Sequence, residues 1–242
     1  MKKTIPLAAT ALTIFGNYYI PKLNGQSVGQ NPGNVVLQAQ PAGFTFGIWG
    51  FIYTALIYLS YKVYKQDIVW SDSSIALYFA TCAFNLLWVN NWTKNKTDIS
   101  QYLLFGLVIS LYLLWNKNVG FSNKRIYQNI LSSYLAWTLG ASLLNIFIVK
   151  GEGNNYSGSK TVLYVISAIQ ILWQIINKNN QNELNDSFLL PVTGVWTGIG
   201  IALNNSTSLG YLKYIPLIVS LGASYNHYDN IGKPNLKTLF FE

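Results

Sequence analysis

The chain has 242 residues, of which 51% are hydrophobic, 15% aromatic and only 10% charged. Soluble domains carry about 25% charged residues, so this composition excludes an ordinary soluble protein and indicates a membrane protein. The net charge of +8 comes from basic residues that stand singly or in pairs between uncharged stretches, which favours membrane flanks over a nucleic-acid-binding surface. A single cysteine, Cys82, and a single histidine, His227, exclude a disulfide framework and a metal site built on several such ligands.

Eight windows along the chain are nearly free of charge and long enough to cross a bilayer as helices. A transmembrane helix needs about 20 mostly apolar residues, because hydrocarbon offers the backbone no hydrogen-bond partners. The windows are residues 4–21, 42–61, 73–93, 99–116, 126–149, 161–177, 187–203 and 209–226. Their continuity argues against the short alternating strands of a membrane barrel. The sequence therefore predicts an all-α, polytopic transmembrane helix bundle.

The first and last windows leave alternatives open. Lys2 and Lys3 precede the first window, as in a secretory signal peptide, although its small-x-small site at residues 9–11 comes early in the apolar run. Lys213 interrupts the last window and would have to reach the membrane surface or face a protein partner. We expect eight spans, with seven as the alternative. With eight spans, ten basic residues lie on the side of the amino terminus and six on the other, which favours both termini inside.

Two polar stretches divide the chain. Residues 22–40 are rich in Gly, Asn and Gln and are predicted to form an irregular loop outside the hydrocarbon. Residues 150–160 contain Gly, Ser and Asn, which disfavour both helix and burial. We expect a domain boundary there, with residues 1–150 as one membrane module and residues 151–242 as additional transmembrane helices and a short tail.

The uncharged stretch at residues 43–53 combines large rings with glycines. Phe46, Trp49 and Tyr53 recur at intervals of three and four residues, which places them on one face of a helix. The glycines at positions 43, 47 and 50 would form a groove beside these rings. Two interpretations remain open. Either the rings line a pocket for a flat molecule, or the glycines let a second helix approach closely while the rings lie at the membrane interface.

Two asparagines lie deep within predicted spans, where ionisable residues are scarce. An amide in hydrocarbon needs a partner, so Asn85 and Asn145 are predicted to bond a neighbouring helix or to contact a ligand. No Asp, Glu, Arg or His falls inside the first seven windows, which leaves no group there for proton relay or ion coordination. The chain also lacks a P-loop, a nucleophile elbow and paired carboxylates. We therefore predict no catalytic residues and no enzymatic activity.

Three segments carry a family resemblance. Residues 134–145, YLAWTLGASLLN, resemble the fifth helix of the tryptophan-rich sensory protein family, also called the translocator protein or peripheral benzodiazepine receptor family. Residues 78–88, YFATCAFNLLW, resemble the third helix of that family. Ile48 and Trp49, followed by Tyr53, resemble its second helix. The three segments occur in the family's order at matching spacings.

The resemblance covers about residues 1–150 and departs from the family pattern in three places. Pro41-Ala42-Gly43 stands where the family has paired prolines before the second-helix tryptophan. Val89-Asn90 stands where the family has two prolines after the third-helix tryptophan. The three predicted spans after residue 150 have no counterpart in the five-helix bundle of the family. These departures bear more on the choice of ligand than on the fold.

The resemblance implies an apolar pocket among the helices, capped by the loop between the first two. Such a pocket accepts a tetrapyrrole or a sterol-like lipophile, and no cofactor is required beyond a porphyrin or lipid ligand. The ligand-binding residues expected from the resemblance and from the aromatic stretch are Phe46, Trp49, Tyr53, Asn85, Trp88, Trp137, Ala141, Leu144 and Asn145. No metal ligand is expected.

Two functions from different classes follow from these observations. The first is a non-enzymatic membrane protein that binds a flat lipophilic ligand. The alternative is a structural or accessory subunit of a larger membrane complex, such as a mitochondrial respiratory-chain assembly, because the added spans enlarge the lateral surface. The expected partners are membrane lipids, the ligand and a second copy or a larger complex, with no nucleic acid. The expected location is the mitochondrial inner membrane or a bacterial membrane.

Overall fold

The computed structural model describes residues 2–29, 38–117, 125–150, 156–177, 187–204 and 209–231. Within these ranges the chain forms eight α-helices and short 3₁₀ turns, without a strand. The helices are α1 (Ile5–Asn24), α2 (Ile48–Lys65), α3 (Asp72–Trp92), α4 (Thr97–Asn116), α5 (Arg125–Val149), α6 (Tyr156–Asn177), α7 (Leu189–Ala202) and α8 (Ile215–Ile231). The all-α class and the polytopic helical architecture are confirmed.

Each predicted window overlaps one of these helices, because a helix lets an apolar run satisfy its own backbone hydrogen bonds. Four of the described helical segments are long and apolar enough to cross a membrane, namely Gly43–Lys65, Asp72–Trp92, Thr97–Asn116 and Arg125–Val149. Helices α1 and α6 have 20 and 22 residues but are less apolar, and α7 is apolar but has only 14 residues. Spans beyond these four, and the orientation of the termini, stay predictions.

The ends of the two polar stretches differ in detail from the expectation. Helix α1 continues to Asn24, so the first residues of the predicted loop are helical. Gly25 ends the helix in the left-handed region, with φ of 66°, which glycine adopts without steric cost. Helix α6 already begins at Tyr156, inside the second polar stretch. Residues 30–37 and 151–155 lie outside the described ranges.

Contacts divide the chain into two compact units. Unit 1 comprises Met1–Val35 and Gly47–Lys117, and it contains α1 to α4. Unit 2 comprises Val36–Phe46 and Asn118–Glu242, and it contains α5 to α8. This division describes contacts within the folded chain. That residues 1–150 form one module and residues 151–242 an addition to it stays a prediction.

In unit 1, α1 packs against α2 and α3 and runs parallel to α3. Three polar contacts join α1 to α3 at successive levels. They are Thr10 with Tyr78 (2.6 Å between hydroxyls), Asn17 with Asn85 (2.6 Å) and Asn24 with Thr93 (2.8 Å). The three α1 residues are spaced seven apart, the interval at which a helix presents the same face to a neighbour. Polar side chains thus set the register between two apolar helices.

Helix α4 packs on α3 through an apolar seam and a close contact at a glycine. Its leucines at 104, 107, 111 and 114 are all 0–1% exposed and recur at intervals of three and four residues. A Cβ placed on Gly106 would lie 2.6 Å from Cε1 of Phe84 on α3. The phenyl ring of Phe84 thus occupies the space beside Gly106, and a larger residue there would displace this ring.

Unit 2 is built around α7, which contacts both α5 and α8. The hydroxyls of Ser133 on α5 and Thr193 on α7 lie 2.7 Å apart. A Cβ on Gly198 would lie 2.7 Å from the Cα of Leu217, so α7 and α8 approach each other backbone to backbone. The segment before α2 belongs to this unit, since the backbone N–H of Ala42 donates to the Gly200 carbonyl at 2.9 Å.

Candidate functional site

The predicted ligand-binding residues fall into both units, and each group is described by itself. Unit 1 contains the second- and third-helix residues, which are Trp49, Tyr53, Asn85 and Trp88. Unit 2 contains Phe46, Trp137, Ala141, Leu144 and Asn145.

In unit 1, α2 and α3 contribute a column of four stacked or tilted rings. Tyr53 and Trp49, one turn apart on α2, have ring centroids 5.3 Å apart and an interplanar angle of 24°. The ring of Trp49 also stacks on that of Trp88 on α3, with centroids 6.1 Å apart and an interplanar angle of 29°. The ring centroids of Trp88 and Trp92 lie 6.1 Å apart. Offset stacking at these separations is favourable for aromatic pairs. The column joins α2 to α3 through ring contacts, and Trp88 and Trp92 within it are buried.

The predicted alignment of Phe46 with Trp49 and Tyr53 is wrong. Helix α2 begins at Ile48, and Phe46 lies in the preceding 3₁₀ turn Gly43–Gly47. Phe46 therefore lies outside the α-helix that carries Trp49 and Tyr53, whereas the spacing argument assumed one continuous α-helix. Phe46 instead packs in unit 2, with its ring edge-on to Trp137.

The three glycines of this stretch do not mediate a close helix contact. A Cβ placed on Gly43, Gly47 or Gly50 would meet no described atom within 4 Å. Among the described residues these glycines therefore form no tight packing surface. Close packing in unit 1 occurs at Gly106, which the pattern did not single out.

A pocket of about 510 Å³ lies in unit 1 beside the aromatic column. The end of α1, the turn that follows it and one face of α2 line this pocket. The lining residues are Asn17, Tyr18, Pro21, Lys22, Gly25, Gln26, Ser27, Val28, Trp49 and Tyr53. Trp49 and Tyr53 thus form an aromatic wall, and the turn after α1 forms another side.

The turn after α1 is held in place by backbone and indole hydrogen bonds. The N–H of Gly25 donates to the Lys22 carbonyl at 3.3 Å, and that of Gln26 donates to the Pro21 carbonyl at 3.1 Å. The indole N–H of Trp92 donates to the Val28 carbonyl at 3.1 Å. Trp92 is also the last ring of the aromatic column, so the column and the turn are joined at this residue.

The lining of the pocket carries positive charge and no negative charge. Among the described lining residues Lys22 alone is ionised, and its Nζ lies 3.7 Å from the ring centroid of Tyr18. A cation over an aromatic face is held electrostatically while remaining available to an anion. The lining therefore offers aromatic surface and one ammonium group.

Asn85 does not line this pocket but hydrogen-bonds a residue that does. Its side chain is fully buried, and its Oδ1 accepts a hydrogen bond from Nδ2 of Asn17, a lining residue, at 2.6 Å. Nδ2 of Asn17 also donates to the Thr13 carbonyl at 2.8 Å. The predicted interhelical hydrogen bond of Asn85 is confirmed. Asn17, Tyr18 and Lys22 were missed as site residues, although the seven-residue spacing of polar residues on α1 was a signal for the first of them.

Trp88 lies within the column and carries an unused donor. The residue is 5% exposed, and its indole Nε1 is buried with no hydrogen-bond partner among the described residues. A buried donor without an acceptor lowers the stability of the fold. A bound ligand that provides an acceptor would remove this cost.

In unit 2 the predicted residues are largely covered by side chains of the same unit. Trp137 is 5% exposed, and its ring centroid lies 5.7 Å from that of Phe46 at 90°. Ala141 is half-buried one turn further along α5. Leu144 packs against an apolar cluster formed by Ala39, Val162, Leu163, Ile166, Ile201 and Leu209. Edge-to-face aromatic packing and aliphatic contacts fill this group.

Asn145, like Trp88, has buried polar atoms without a partner among the described residues. It is 1% exposed, and neither its Nδ2 nor its Oδ1 has a hydrogen-bond partner among the described residues. The predicted interhelical bond is therefore not formed at this asparagine within the described part of the chain. Whether Asn145 contacts a ligand stays a prediction.

A comparison with protein-family models finds one match, to the family described as TSPO-like protein, over residues 3–225. No curated protein and no solved structure matches the chain. The match spans all eight windows and extends well past residue 150.

Proposed function

The chain belongs to the TSPO-like protein family and is an integral membrane protein, and from this premise we propose that it binds a flat lipophilic ligand without catalysing a reaction. The resemblance found in three sequence motifs is confirmed by the family match. The observation that carries the proposal is the pocket of about 510 Å³ in unit 1, with Trp49 and Tyr53 on one wall.

The size and the walls of this pocket suit such a ligand. Small-molecule sites in proteins usually enclose about 300–1,000 Å³ and are lined mainly by apolar and aromatic groups with a few polar ones. Trp49 and Tyr53 stack on each other with ring centroids 5.3 Å apart, so they form a continuous aromatic wall against which an apolar molecule can pack. Asn17, Gln26 and Ser27 add hydrogen-bonding groups that could orient it.

The charge of the lining favours a tetrapyrrole over a sterol-like molecule. Protoporphyrin combines a flat apolar macrocycle with carboxylate groups, whereas a sterol has no charge. Lys22 is the one ionised lining residue, and an ammonium–carboxylate hydrogen bond is stronger than a neutral one. We therefore expect the macrocycle on Trp49 and Tyr53, with a carboxylate directed to Lys22.

A porphyrin titration of the purified protein in detergent tests the proposal. Binding is followed by the absorbance shift of protoporphyrin, which does not depend on the tryptophan signal of the protein. Trp49→Leu should weaken binding about tenfold, because it removes the larger stacking ring. Phe51→Leu is the matched control, since Phe51 lies on the same helix, is 51% exposed and does not line the pocket. Equal affinities of the two variants would contradict the assignment of the ligand to this pocket.

Lys22→Gln separates the two ligand classes. It should weaken protoporphyrin binding several-fold and leave the binding of an uncharged sterol probe unchanged, because only the carboxylate is lost as a partner. A variant that binds both probes as well as the unmodified chain would argue that the ammonium group plays no part in recognition.

Four residues of α5 are also expected to contact the ligand, and this expectation is tested separately. The resemblance implies that Trp137, Ala141, Leu144 and Asn145 line the ligand site. Trp137→Leu tests this in the same titration. A loss of affinity would extend the site to α5, and an unchanged affinity would restrict it to the pocket in unit 1.

A role as accessory subunit of a larger membrane complex stays a prediction, as do a mitochondrial or bacterial location and a homodimer. Purification in mild detergent followed by mass spectrometry tests the subunit role. Stable companions in fixed ratio would support it, and elution of the chain alone would count against it.

A further inference from the structure

One end of unit 1 gathers lysines from four helix termini. The start of α1, the end of α2, the start of α3 and the end of α4 meet there, as side-chain contacts show. Nζ of Lys2 lies 2.5 Å from Oδ2 of Asp72, and Nζ of Lys117 donates to Oγ of Ser73 at 2.8 Å. Nζ of Lys3 lies 6.0 Å from the ring centroid of Tyr64. This end is distinct from the pocket, which lies at the opposite end of α1.

The charge at this end is positive and only partly neutralised. The described residues here include five lysines, at positions 2, 3, 62, 65 and 117, and two aspartates, at positions 67 and 72. Both aspartates are engaged, Asp72 with Lys2 and Asp67 with Lys62 at 2.8 Å. Lys3 and Lys65 form no ion pair with a described residue. Lys117 donates to the Ser73 hydroxyl, so Lys3 and Lys65 are the two exposed lysines here that have neither an ion pair nor a side-chain hydrogen bond with a described residue.

Tyrosines lie beside these lysines. Nζ of Lys65 lies 5.8 Å from the ring centroid of Tyr61, in the same way that Lys3 lies near Tyr64. Tyr61 is 45% exposed and Tyr64 is 37% exposed, so their hydroxyls are accessible. Ammonium and phenol groups both donate hydrogen bonds, and several such donors at one place suit a phosphate group.

The same helix face continues into apolar surface. Ile57 precedes Tyr61 by one turn of α2, and it is 48% exposed. Helix α2 belongs to one of the four segments that are long and apolar enough to cross the membrane. A ligand with its phosphate between Lys3 and Lys65 could therefore lay an apolar chain along α2. Free phosphate or a nucleic acid would leave this apolar continuation unused.

We propose that the surface formed by Lys3, Tyr61, Tyr64 and Lys65 binds the phosphate of an anionic phospholipid headgroup, with the acyl chains along α2. Basic residues at a membrane surface attract anionic lipids, and tyrosines prefer the headgroup level. The surface discriminates by charge, because a zwitterionic headgroup carries its own cation close to the phosphate.

The opposite end of unit 1 provides the matched control. Lys94 and Lys96 are exposed there, between α3 and α4, and neither forms a cation–π contact with a described ring. Replacing both removes the same charge as replacing Lys3 and Lys65. The two double variants therefore separate a specific surface from an effect of total charge.

The experiment measures lipid retention by the full chain in a nonionic detergent. The protein is incubated with equal amounts of phosphatidylglycerol and phosphatidylcholine, and bound lipids are counted by native mass spectrometry. The unmodified chain should retain phosphatidylglycerol in preference. Lys3→Gln/Lys65→Gln should lower this preference about tenfold, and Lys94→Gln/Lys96→Gln should leave it unchanged. Lys3→Arg/Lys65→Arg should keep it, which shows that the surface remains folded and that charge is what the lipid needs.

Three results would overturn the proposal. An equal fall in both glutamine variants would show an effect of net charge alone. No fall in Lys3→Gln/Lys65→Gln would remove the surface from lipid binding. Displacement of phosphatidylglycerol by inorganic phosphate would show that the surface holds a small anion rather than a lipid. None of these results bears on the porphyrin pocket, whose residues are not altered.

Discussion

Two buried asparagines, one in each unit, differ in whether their side-chain amides have hydrogen-bond partners. Asn85 in unit 1 is 0% exposed and accepts a 2.6 Å hydrogen bond from Asn17 on the neighbouring helix. Asn145 in unit 2 is 1% exposed, and neither of its amide atoms has a partner among the described residues. Both lie deep in apolar helices with the same predicted need. Only the first has that need met within its own unit.

A buried amide in the sequence shows that a hydrogen-bond partner is needed, but it does not show which residue provides that partner. In unit 1 the amide belongs to a series of α1–α3 contacts at seven-residue intervals, so it stabilises a helix pair and positions a pocket residue. In unit 2 the amide has no partner among the described residues, and a buried amide without a partner costs about 1–3 kcal/mol. A residue kept at such a cost is a better candidate for ligand contact than for structure. The following experiments test this contrast, in order of expected effect.

Asn85→Leu should give the largest change. It removes the acceptor of Asn17 in a buried position, so the free energy of unfolding should fall by about 1–2 kcal/mol. Thermal unfolding in detergent measures the change. A variant as stable as the unmodified chain would show that the α1–α3 hydrogen bonds contribute little to stability. Pairing of the Asn85 amide would then not distinguish unit 1 from unit 2.

Asn145→Leu should act in the opposite direction. Replacing an unpaired amide with an apolar group of similar size removes its desolvation penalty, so stability should rise by about 1 kcal/mol. The same unfolding assay applies, with Asn85→Leu as the reference for a paired amide. A clear loss of stability would mean that the Asn145 amide has a structural partner, and the description of this amide as unpaired would be wrong.

A double-mutant cycle sharpens the contrast at Asn17 and Asn85. Asn17→Val, Asn85→Leu and the double variant should yield a coupling energy of about 0.6 kcal/mol, the average for polar pairs between membrane helices. Additive effects, with no coupling, would show that the two amides contribute independently despite their 2.6 Å contact.

The smallest effect concerns the ligand. If protoporphyrin binds only in the pocket of unit 1, it should stabilise Asn145→Leu and the unmodified chain equally, to within about 0.5 kcal/mol. The comparison is made in unfolding experiments with and without saturating protoporphyrin. A markedly smaller stabilisation of the variant would place the Asn145 amide in contact with the ligand and would explain why it has no protein partner.

The candidate site was predictable in part. Trp49 and Tyr53 were found because their spacing of four residues puts them on one turn of α2, a local property. Phe46 was wrongly aligned with them because the change from a 3₁₀ turn to an α-helix at Ile48 leaves no sign in an uncharged stretch. Lys22 was assigned to a loop by composition, although α1 continues to Asn24 and carries it into the pocket lining.

The amino-acid sequence by itself determined that this protein is an all-α integral membrane protein and approximately where each helix lies. Long apolar runs must satisfy their own backbone in lipid, and this constraint acts within a single segment. Tertiary structure alone decided which amide is paired, which glycine is in close contact and which side chains enclose a pocket. Asn17 meets Asn85 across 68 residues of chain, and Lys22 and Trp49 line one pocket from different helices. Such contacts depend on which helices are neighbours, and the pattern within one helix does not specify its neighbours.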